Sequence, residues 1–510
     1  MAPAHSDTVL LHQIPANQAS LNPAGVALWW QGQAITYAAL NDRVEQLVQC
    51  LSTVGVRGDR VAMLSWNRPE FVELIYAASA SGRLLVPLNA RLASAELVYQ
   101  LRHAGVTRLI GDQALLAPLR SHAGFPKEIE VIALGDEFEQ WLHSVSHSAQ
   151  GATLPPVQHD DPVWILYTSG STGRPKGAVL THRSFAAGLR SAAIARPVQA
   201  SDRYFYPFPL FHVAAHNVLL QHQYGAAVVL APGFDAGGTL AACRELSVTS
   251  LSLAPTMLAM LLEHPDFCPS DLESVRTIGY GASAMPYTLL QRLLSNTEVG
   301  LCQSYGMTEL SGSIAFLTVE DHREAVTRRP ELLRSVGKPL PHVRVKLVDD
   351  AGQECAPGRS GEICVLAKQC MSGYWQQPEE TAQALVEGWL HSGDIGRFDD
   401  AGYLYIVDRK KDMIVTGGEN VASREVEEVL RQHPAVRDCA VIGVPDDTWG
   451  ECVCAVVVEQ SGVSDEELAT HCRAQLAGYK TPRKWVRQMA LPLNAAGKVD
   501  KPLLRTTVAA

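Results

Sequence analysis

The sequence has little that would direct the protein to a membrane or to nucleic acid. Its 510 residues contain no run of about 18 apolar residues, the length that a membrane-spanning helix needs. The opening residues, MAPAHSDTVLLHQIPANQ, lack a basic segment followed by an apolar core, so we expect no signal peptide. The 43 Lys and Arg residues face 53 Asp and Glu residues, and a net charge of −10 without a basic block argues against nucleic-acid binding.

Paired cysteines are also missing. The eleven cysteines are spread from Cys50 to Cys472, and none forms a Cys-x-x-Cys pair. The two nearest, Cys452 and Cys454, alternate with apolar residues as they would in a strand. Scattered thiols are typical of reduced core residues rather than of a disulfide framework. We therefore expect a cytoplasmic globular protein. The sequence leaves open whether it is a monomer or a homodimer.

The pattern of apolar residues predicts an α/β fold. At about 100–200 residues per domain, the length predicts about three structural units. From residue 27 to about 116, strand-like runs such as 62–66 alternate with helical patterns such as 71–80, and the alternation resumes at 163–167. Because such alternation is typical of βαβ units, we expect parallel sheets. Short runs with Gly, Pro and Asp turns at about 335–410 predict an antiparallel β region, after which the α/β pattern returns.

A loop rich in small and hydroxylated residues follows one predicted strand. Residues 164–177 read TrpIleLeuTyrThrSerGlySerThrGlyArgProLysGly. Backbone N–H groups, hydroxyls and one lysine are suited to phosphate. A Walker A loop is excluded, because Pro175 stands where Gly would have to precede Lys176. These residues alone leave two interpretations open, a phosphate-binding loop and a flexible Ser/Gly turn.

Residues 167–177 resemble the signature loop of the adenylate-forming acyl-CoA synthetase family, which includes luciferases and peptide-synthetase adenylation domains. Six further motifs of that family follow in the same order: GlyTyrGlyAlaSer (279–283), GlnSerTyrGlyMetThrGlu (303–309), GlyTrpLeuHisSerGlyAsp (388–394), AspArgLysLysAspMetIle (408–414), GlyGlyGluAsn (417–420) and AsnAlaAlaGlyLysValAsp (494–500). The resemblance implies a large N-terminal domain, residues 1–408, with parallel-type α/β subdomains and a β-barrel-like subdomain. A small mobile α+β domain, residues 409–510, would follow a hinge near Lys411.

The resemblance also implies an activity. We expect an ATP-dependent acid:CoA ligase that uses ATP, Mg²⁺ and coenzyme A and passes through an acyl-adenylate. The alternative acceptor is an amine or a carrier-protein thiol. Because twelve residues follow Lys498 in this sequence, we expect no fused carrier domain. A nucleotide-sensing protein without activity is disfavoured, because Lys176, Glu309, Asp394 and Lys498 are all present.

By resemblance, Glu309 binds Mg²⁺, Thr308 reaches the α-phosphate, Lys176 binds phosphates, and Lys498 bridges the substrate carboxylate and the α-phosphate. The implied nucleotide-binding residues are Thr168, Ser169, Gly170, Ser171, Thr172, Gly173, Gly281, Ala282, Ser283, Tyr305, Gly306, Asp394 and Arg409. Tyr305 would stack on the adenine, and Asp394 and Arg409 would bind the ribose. A dinucleotide-binding fingerprint at 279–284 is disfavoured, since Gln303 and Ser304 stand where an acidic residue is expected.

The family's acyl pocket maps onto His212, Val213, Ser252, Ser304, Ser311 and Gly312. Most of these positions are small and none is charged, which favours a fairly large, mainly apolar acid and leaves a dicarboxylate without a cationic partner. Although His212 and His216 have a metal-like spacing, no Glu or third ligand accompanies them, so zinc is not expected.

For CoA, the resemblance implies contacts from Arg91, Gly417, Gly418, Trp449 and Tyr479. Rotation at Lys411 would withdraw Lys498 and bring 417–420 to the site. Ala422 and Ser423 depart from the residue pair that many relatives have after this motif.

Overall fold

The structure, a computed structural model, describes residues 9–53, 56–144, 156–168, 175–281, 285, 287–416, 419–446, 449–494 and 497–509. The chain divides into two compact units. The first comprises Met1–Arg344 and Val365–Leu390, and the second comprises Val345–Cys364 and His391–Ala510. The second unit therefore includes segments that precede residue 409, and the predicted C-terminal domain lies within it.

The strands of the described part of the chain are β1 (Val26–Trp30), β2 (Gln33–Thr36), β3 (Arg60–Leu64), β4 (Leu84–Pro87), β5 (Val106–Gly111), β6 (Glu130–Ala133), β7 (Pro162–Thr168), β8 (Lys176–Thr181), β9 (Arg203–Tyr206), β10 (Ala227–Leu230), β11 (Ser250–Ser252), β12 (Thr277–Gly281), β13 (Gly300–Met307), β14 (Gly312–Leu317), β15 (Lys338–Pro339), β16 (Arg344–Val348), β17 (Gly361–Leu366), β18 (Gly373–Tyr374), β19 (Leu385–Val386), β20 (Trp389–Phe398), β21 (Leu404–Arg409), β22 (Ile414–Thr416), β23 (Glu419–Val421), β24 (Val436–Asp446), β25 (Gly450–Glu459) and β26 (Lys484–Arg487).

The helices of the same part are α1 (Gln13–Leu21), α2 (Tyr37–Thr53), α3 (Pro69–Ala80), α4 (Ser94–Ala104), α5 (Gln113–Arg120), α6 (Asp136–Ser144), α7 (His182–Ala195), α8 (His216–Gln223), α9 (Ala236–Leu246), α10 (Pro255–Leu262), α11 (Tyr287–Asn296), α12 (Val319–Thr327), α13 (Pro378–Ala384), α14 (Ser423–Leu430), α15 (Asp465–Arg473) and α16 (Lys501–Ala509). None of these described helices is both long enough and apolar enough to cross a membrane.

Two largely parallel sheets form the first unit. One has the strand order β15-β14-β13-β12-β11-β9-β10-β1-β2, and the other has the order β18-β8-β7-β4-β3-β5-β6. Neighbouring strands from β13 to β1 and from β7 to β6 are parallel. Consecutive residues Val61–Leu64 of β3 are buried, as expected for a parallel strand that is covered on both faces. The alternation of strands and helices in the sequence predicted this arrangement correctly.

The sheets of the second unit are mainly antiparallel, although the edge strand β26 runs parallel to β25. The pair β20–β21 lies in the region where the sequence predicts antiparallel structure. The long strands β24 and β25 form a second antiparallel pair. Alternate residues of this pair enter two separate hydrophobic clusters, one with Val426 and Leu468 from α14 and α15, the other with Leu504 from α16. The predicted α/β class, with a larger N-terminal part and a smaller C-terminal part, is confirmed.

All eleven cysteines lie in the described part of the chain and are free, and eight of them are buried. Cys452 and Cys454 lie in β25, as predicted, and both are in the apolar interior of the second unit.

Candidate active site

A carboxylate lies beside the end of a two-stranded hairpin in the first unit. Strands β7 and β8 pair antiparallel, and Thr168, the last residue of β7, lies opposite Lys176, the first residue of β8. The Thr168 hydroxyl donates a hydrogen bond to Oε1 of Glu309 over 3.1 Å. The structure thus brings three predicted residues together at the hairpin end. The remaining predicted residues of this loop lie outside the described residues: Ser169, Gly170, Ser171, Thr172 and Gly173.

Tyr374, which none of the sequence motifs contains, also belongs to this site. Its hydroxyl donates a second hydrogen bond to Oε1 of Glu309 over 3.1 Å. Nζ of Lys176 lies 5.2 Å from the centre of the Tyr374 ring, within the range of a cation–π contact. Burial, and then the negative charge of Glu309, raises the pKa of Tyr374, so its hydroxyl remains a donor. The available signal was GlyTyrTrp at 373–375, but an aromatic residue by itself is more often a packing residue.

Glu309 lies on a tight turn at the end of β13. Residues 308–310 form one 3₁₀ turn, which includes the predicted catalytic residue Thr308. Ser311 follows with φ 49° and Gly312 with φ 132°, and both values lie in the region that favours glycine. Ser311 therefore holds a backbone conformation that is uncommon for a residue with a side chain. The surrounding contacts have to maintain this turn.

One buried amide holds both sides of that turn. Nε2 of Gln369 donates to the carbonyl oxygens of Leu310 and Ser313 over 2.9 and 3.0 Å. Oε1 of Gln369 accepts a 2.6 Å hydrogen bond from the Ser191 hydroxyl, which lies 2.8 Å from Nε2 of His342. Gln369 and Ser191 are fully buried. Because it ties two carbonyls to a buried network, Gln369 fixes the backbone that carries Glu309.

Further predicted nucleotide-binding residues lie where β12 and β13 end. Gly281 pairs with Ser304, and Tyr305 and Gly306 follow in β13. A Cβ atom on Gly281 would lie 2.6 Å from the Ser304 carbonyl oxygen, so this close approach requires glycine. Tyr305 is partly buried and Gly306 is exposed. Two other predicted residues lie outside the described residues: Ala282 and Ser283.

The predicted acyl-pocket residues His212 and Val213 lie at the turn that leads into α8. Nδ1 of His216 donates to the Val213 carbonyl over 2.9 Å, and the His216 ring faces Gly312. Burial, assisted by the positive charge of Arg196, lowers the pKa of His216 to about 4, so the ring is neutral near pH 7.

The expectation that no cation borders the predicted acyl pocket is wrong. Nη1 of Arg196 donates to the hydroxyl of Ser252 over 2.8 Å, and Nη2 donates to Oδ1 of Asn217 over 2.8 Å. Arg196 directly follows α7 and was not among the candidates, because the motif positions do not include it. Arg196 and Ser252 are 56 residues apart in the chain, so only the fold shows that they are in contact.

In the second unit, Asp394 and Arg409 are directly opposite each other in β20 and β21. Nε of Arg409 lies 2.6 Å from Oδ1 of Asp394. The Asp394 side chain is 3% exposed and that of Arg409 is 48% exposed. The structure therefore brings the two predicted ribose-binding residues together as an ion pair.

Two further predicted residues of the second unit lie at exposed turns. Lys411 is exposed, and its carbonyl accepts a 3.3 Å hydrogen bond from Arg505. The exposed Lys498 lies in a short turn in which its backbone N–H donates to Oδ1 of Asn494 over 3.1 Å, and its carbonyl accepts from the Asn494 N–H.

The predicted CoA-binding residues are divided between the two units. Arg91 of the first unit is exposed, with its guanidinium 5.7 Å from the centre of the Trp66 ring. In the second unit, Trp449 and Tyr479 are 43% and 37% exposed. A common site for these residues remains a prediction. The other two predicted residues lie outside the described residues: Gly417 and Gly418.

Comparisons with known proteins agree with the predicted enzyme class. The feruloyl-CoA synthase of Amycolatopsis sp is 37% identical over 496 residues, which cover 96% of this chain and 97% of the relative. The fatty acid–[acyl-carrier-protein] ligase ScoC of Streptomyces coeruleorubidus is 34% identical over 98% of this chain and 97% of its own. The solved structure of the Bacillus subtilis o-succinylbenzoate coenzyme A synthetase (MenE) in complex with ATP and magnesium ion matches with a TM-score of 0.86 and 32% identity, and covers 98% of this chain and 99% of that chain.

Two family models also match the chain. The AMP-binding enzyme model matches residues 16–375, and the AMP-binding enzyme C-terminal domain model matches residues 425–498. The predicted class of enzyme, an AMP-forming acid–thiol ligase, is confirmed by these matches together with the relatives. The chain belongs to the family of AMP-binding enzymes.

Proposed function

We propose that the protein is an ATP-dependent acid:CoA ligase that activates a medium- or long-chain aliphatic acid or an aromatic acid. A carboxylate cannot react directly with a thiol, because its oxygen is a poor leaving group. In the first step a carboxylate oxygen attacks the α-phosphorus of ATP, the bond to the β-phosphate breaks, and pyrophosphate leaves. In the second step the CoA sulfur attacks the acyl carbon, the thiol loses its proton, and AMP leaves.

The observation that carries this proposal is the position of Glu309 at the end of the β7–β8 hairpin. Both of its hydroxyl partners bind the same oxygen, Oε1, and no Lys, Arg or His nitrogen lies within 4 Å of the carboxylate in the described part of the chain. Mg²⁺ is commonly held by one or two carboxylates together with substrate phosphates, so Glu309 fits the ion. Bound there, Mg²⁺ would act as a Lewis acid on phosphate oxygens.

The other residues have distinct roles in the proposal. Lys176 contributes positive charge to the phosphates, and Thr308, next to Glu309, donates to the α-phosphate. The carboxylate of Asp394 accepts hydrogen bonds from the ribose hydroxyls, while Arg409 donates to the ribose. Lys498 stabilises charge on the reacting carboxylate and α-phosphate. Rotation at Lys411 would then exchange Lys498 for the CoA-binding face of the second unit.

The acceptor of the acyl group is the part of the proposal with a specific rival. ScoC, a fatty acid–[acyl-carrier-protein] ligase, is almost as similar to this chain as the feruloyl-CoA synthase. A carrier-protein thiol or an amine would receive the acyl group from the same adenylate. Because both acceptors use the same adenylate, only a measurement of acyl transfer, the second step, identifies the acceptor.

Pyrophosphate release measured with a panel of acids, with and without CoA, tests the proposal. We expect acid-dependent release and, with CoA, formation of AMP and an acyl-CoA thioester. Acyl-adenylate formation that is indifferent to CoA would favour the rival acceptor. Absence of acid-dependent release across the panel would contradict adenylate formation itself.

The Lys498→Ala variant separates the two steps. Because Lys498 acts on charge that develops during adenylation, we expect the rate of that step to fall about 10²- to 10³-fold. Transfer of the acyl group from supplied acyl-adenylate to CoA should be nearly unchanged. The matched control is Lys484→Ala, since the Lys484 ammonium binds the Val508 carbonyl. Equal loss in both steps would contradict the role of Lys498.

A further inference from the structure

Arg196 lies beside the predicted acyl pocket without an acidic partner. Within the described residues, no carboxylate oxygen lies within 4 Å of its guanidinium, although most of the chain's other partly buried arginines pair with Asp or Glu. Its two hydrogen bonds go to neutral groups, the hydroxyl of Ser252 and the amide oxygen of Asn217. Since a guanidinium has five N–H donors, three of them have no acceptor in the described part of the chain.

The groups around Arg196 also have more donors than acceptors. The Tyr204 hydroxyl donates to Ser252 over 2.8 Å, so the Ser252 oxygen accepts from both Tyr204 and Arg196. The hydroxyl proton of Ser252 then has no acceptor among the described residues. Ser252 is 8% exposed and Tyr204 is fully buried. The Arg196 guanidinium also lies 5.4 Å from the centre of the Tyr204 ring. A partly buried cluster of donors around a cation that has no carboxylate partner in the described part of the chain is suited to a ligand that supplies an oxygen acceptor.

The fold leaves space for the guanidinium at this position. Ser252 in β11, Gly279 in β12 and Cys302 in β13 are neighbours in register. A Cβ atom on Gly279 would overlap Nη1 of Arg196 and lie 2.8 Å from Oγ of Ser252. Glycine at 279 therefore allows the guanidinium to lie directly over the sheet.

The register also relates Arg196 to the predicted site of activation. In strands β12 and β13, Gly279 pairs with Cys302, and Gly281 pairs with Ser304. The second pair lies two residues closer to the carboxyl ends of both strands. Residues two apart on a strand point to the same face, and at about 3.3 Å per residue the step is about 7 Å. Arg196 thus lies on the same face as the Gly281–Ser304 pair and about one such step deeper.

We propose that Arg196 and Ser252 bind an oxygen acceptor at the far end of the acyl group. This inference rests on the proposed function and specifies its substrate class: acids that carry a second carboxylate or a phenolic oxygen at the end remote from the activated carboxyl group. The shared chemistry is a hydrogen-bond-accepting oxygen, and the two sources of that oxygen are distinguished in the experiment.

Matched pairs of acids test the inference by pyrophosphate release. Each pair has the same length and differs only at the far end: adipate against hexanoate, 4-carboxybenzoate against 4-methylbenzoate, and 4-hydroxybenzoate against 4-methylbenzoate. We expect the unaltered protein to prefer the oxygen-bearing member of at least one pair. Preference for the apolar member in all three pairs would overturn the inference.

The Arg196→Met variant should reverse that preference. For the preferred oxygen-bearing acid we expect kcat/KM to fall roughly 10- to 100-fold, the range for loss of a hydrogen bond to a charged group. For the apolar partner, and for the KM of ATP, we expect little change. Equal loss for both acids would indicate that Arg196 only supports the fold. Arg203→Met is the matched control, because its guanidinium binds the Leu246 carbonyl.

Two further variants keep the test decisive if Arg196→Met does not fold. Gly279→Ala should displace the guanidinium and give the same selective loss, and Arg196→Lys should retain part of the preference for a carboxylate. If the unaltered protein activates no acid of the panel, the proposed function fails. Calorimetric binding of the same acids to the unaltered protein and to the Arg196→Met variant then decides the inference independently.

Discussion

Two acidic residues that the family resemblance assigns to nucleotide binding, one in each unit, are held in opposite ways. Glu309 receives hydrogen bonds from the neutral hydroxyls of Thr168 and Tyr374. Asp394 is almost fully buried, and Nε of Arg409 lies 2.6 Å from its carboxylate. The charge of Glu309 is thus available to a cation, whereas the charge of Asp394 is largely balanced within the protein. Glu309 is therefore suited to Mg²⁺, and Asp394 is suited to the neutral hydroxyls of a ribose.

Their backbone supports differ as well. Asp394 lies in the ten-residue strand β20, where the ladder with β21 places it opposite Arg409. Glu309 lies on a single 3₁₀ turn that is followed by the uncommon backbone conformation of Ser311. The turn depends on side-chain hydrogen bonds from Gln369, which the strand does not need. Glu309 should therefore be the more sensitive of the two to changes in its surroundings.

The largest effect is expected from Glu309→Gln, which removes the charge and keeps the shape. If Glu309 holds Mg²⁺, acid-dependent pyrophosphate release should fall about 10²- to 10³-fold, and the Mg²⁺ concentration for half-maximal rate should rise. The matched control is Glu320→Gln, an exposed glutamate of the same unit, which should change neither value. If the Mg²⁺ requirement of Glu309→Gln were unchanged, Glu309 would not hold Mg²⁺, and the proposed difference between Glu309 and Asp394 would be wrong.

A smaller effect, and a different one, is expected from Asp394→Asn. The amide retains one acceptor but no longer balances Arg409, so we expect KM for ATP to rise roughly 10- to 100-fold, with a smaller change in kcat. The Mg²⁺ requirement should stay the same. Asp400→Asn, an exposed carboxylate of the same unit, is the control. If Asp394→Asn changed the Mg²⁺ requirement rather than KM for ATP, the two assignments would have to be exchanged.

The sequence predicted strands and helices better than it predicted the contacts between them. The apolar runs at 62–66 and 163–167 and the helical pattern at 71–80 correspond to β3, β7 and α3. Such patterns are local, because the burial of each element determines the spacing of apolar residues within that element. The motifs also led directly to Glu309 and Asp394.

The parts that were missed are contacts between segments far apart in the chain. Tyr374 and Gln369 reach the Glu309 turn across about 60 residues, and Arg196 reaches Ser252 across 56 residues. Neither spacing nor composition distinguishes a tyrosine, glutamine or arginine that makes such a contact from one on the surface. The fold is needed to find them, whereas a motif suffices where neighbouring residues act together.

The smallest effect should come from a pair of changes that compare the two backbone supports. Gln369→Leu leaves the carbonyls of Leu310 and Ser313 without this donor, and we expect the free energy of unfolding to fall by about 1–3 kcal/mol. Because the turn also positions Glu309, the Mg²⁺ concentration for half-maximal rate should rise. Ser392→Ala removes the hydroxyl that accepts the Asp394 N–H over 3.1 Å.

The strand ladder still holds Asp394 in Ser392→Ala, so this variant should lose less than about 1 kcal/mol and keep KM for ATP. Urea unfolding and titrations of Mg²⁺ and ATP, carried out on both variants, measure the comparison. A purely structural role for Gln369 would lower stability without raising the Mg²⁺ requirement of the folded enzyme. The contrary result would be a rise in KM for ATP in Ser392→Ala by the same factor as the rise in the Mg²⁺ concentration for half-maximal rate in Gln369→Leu. Strand pairing would then hold Asp394 no better than one glutamine holds Glu309.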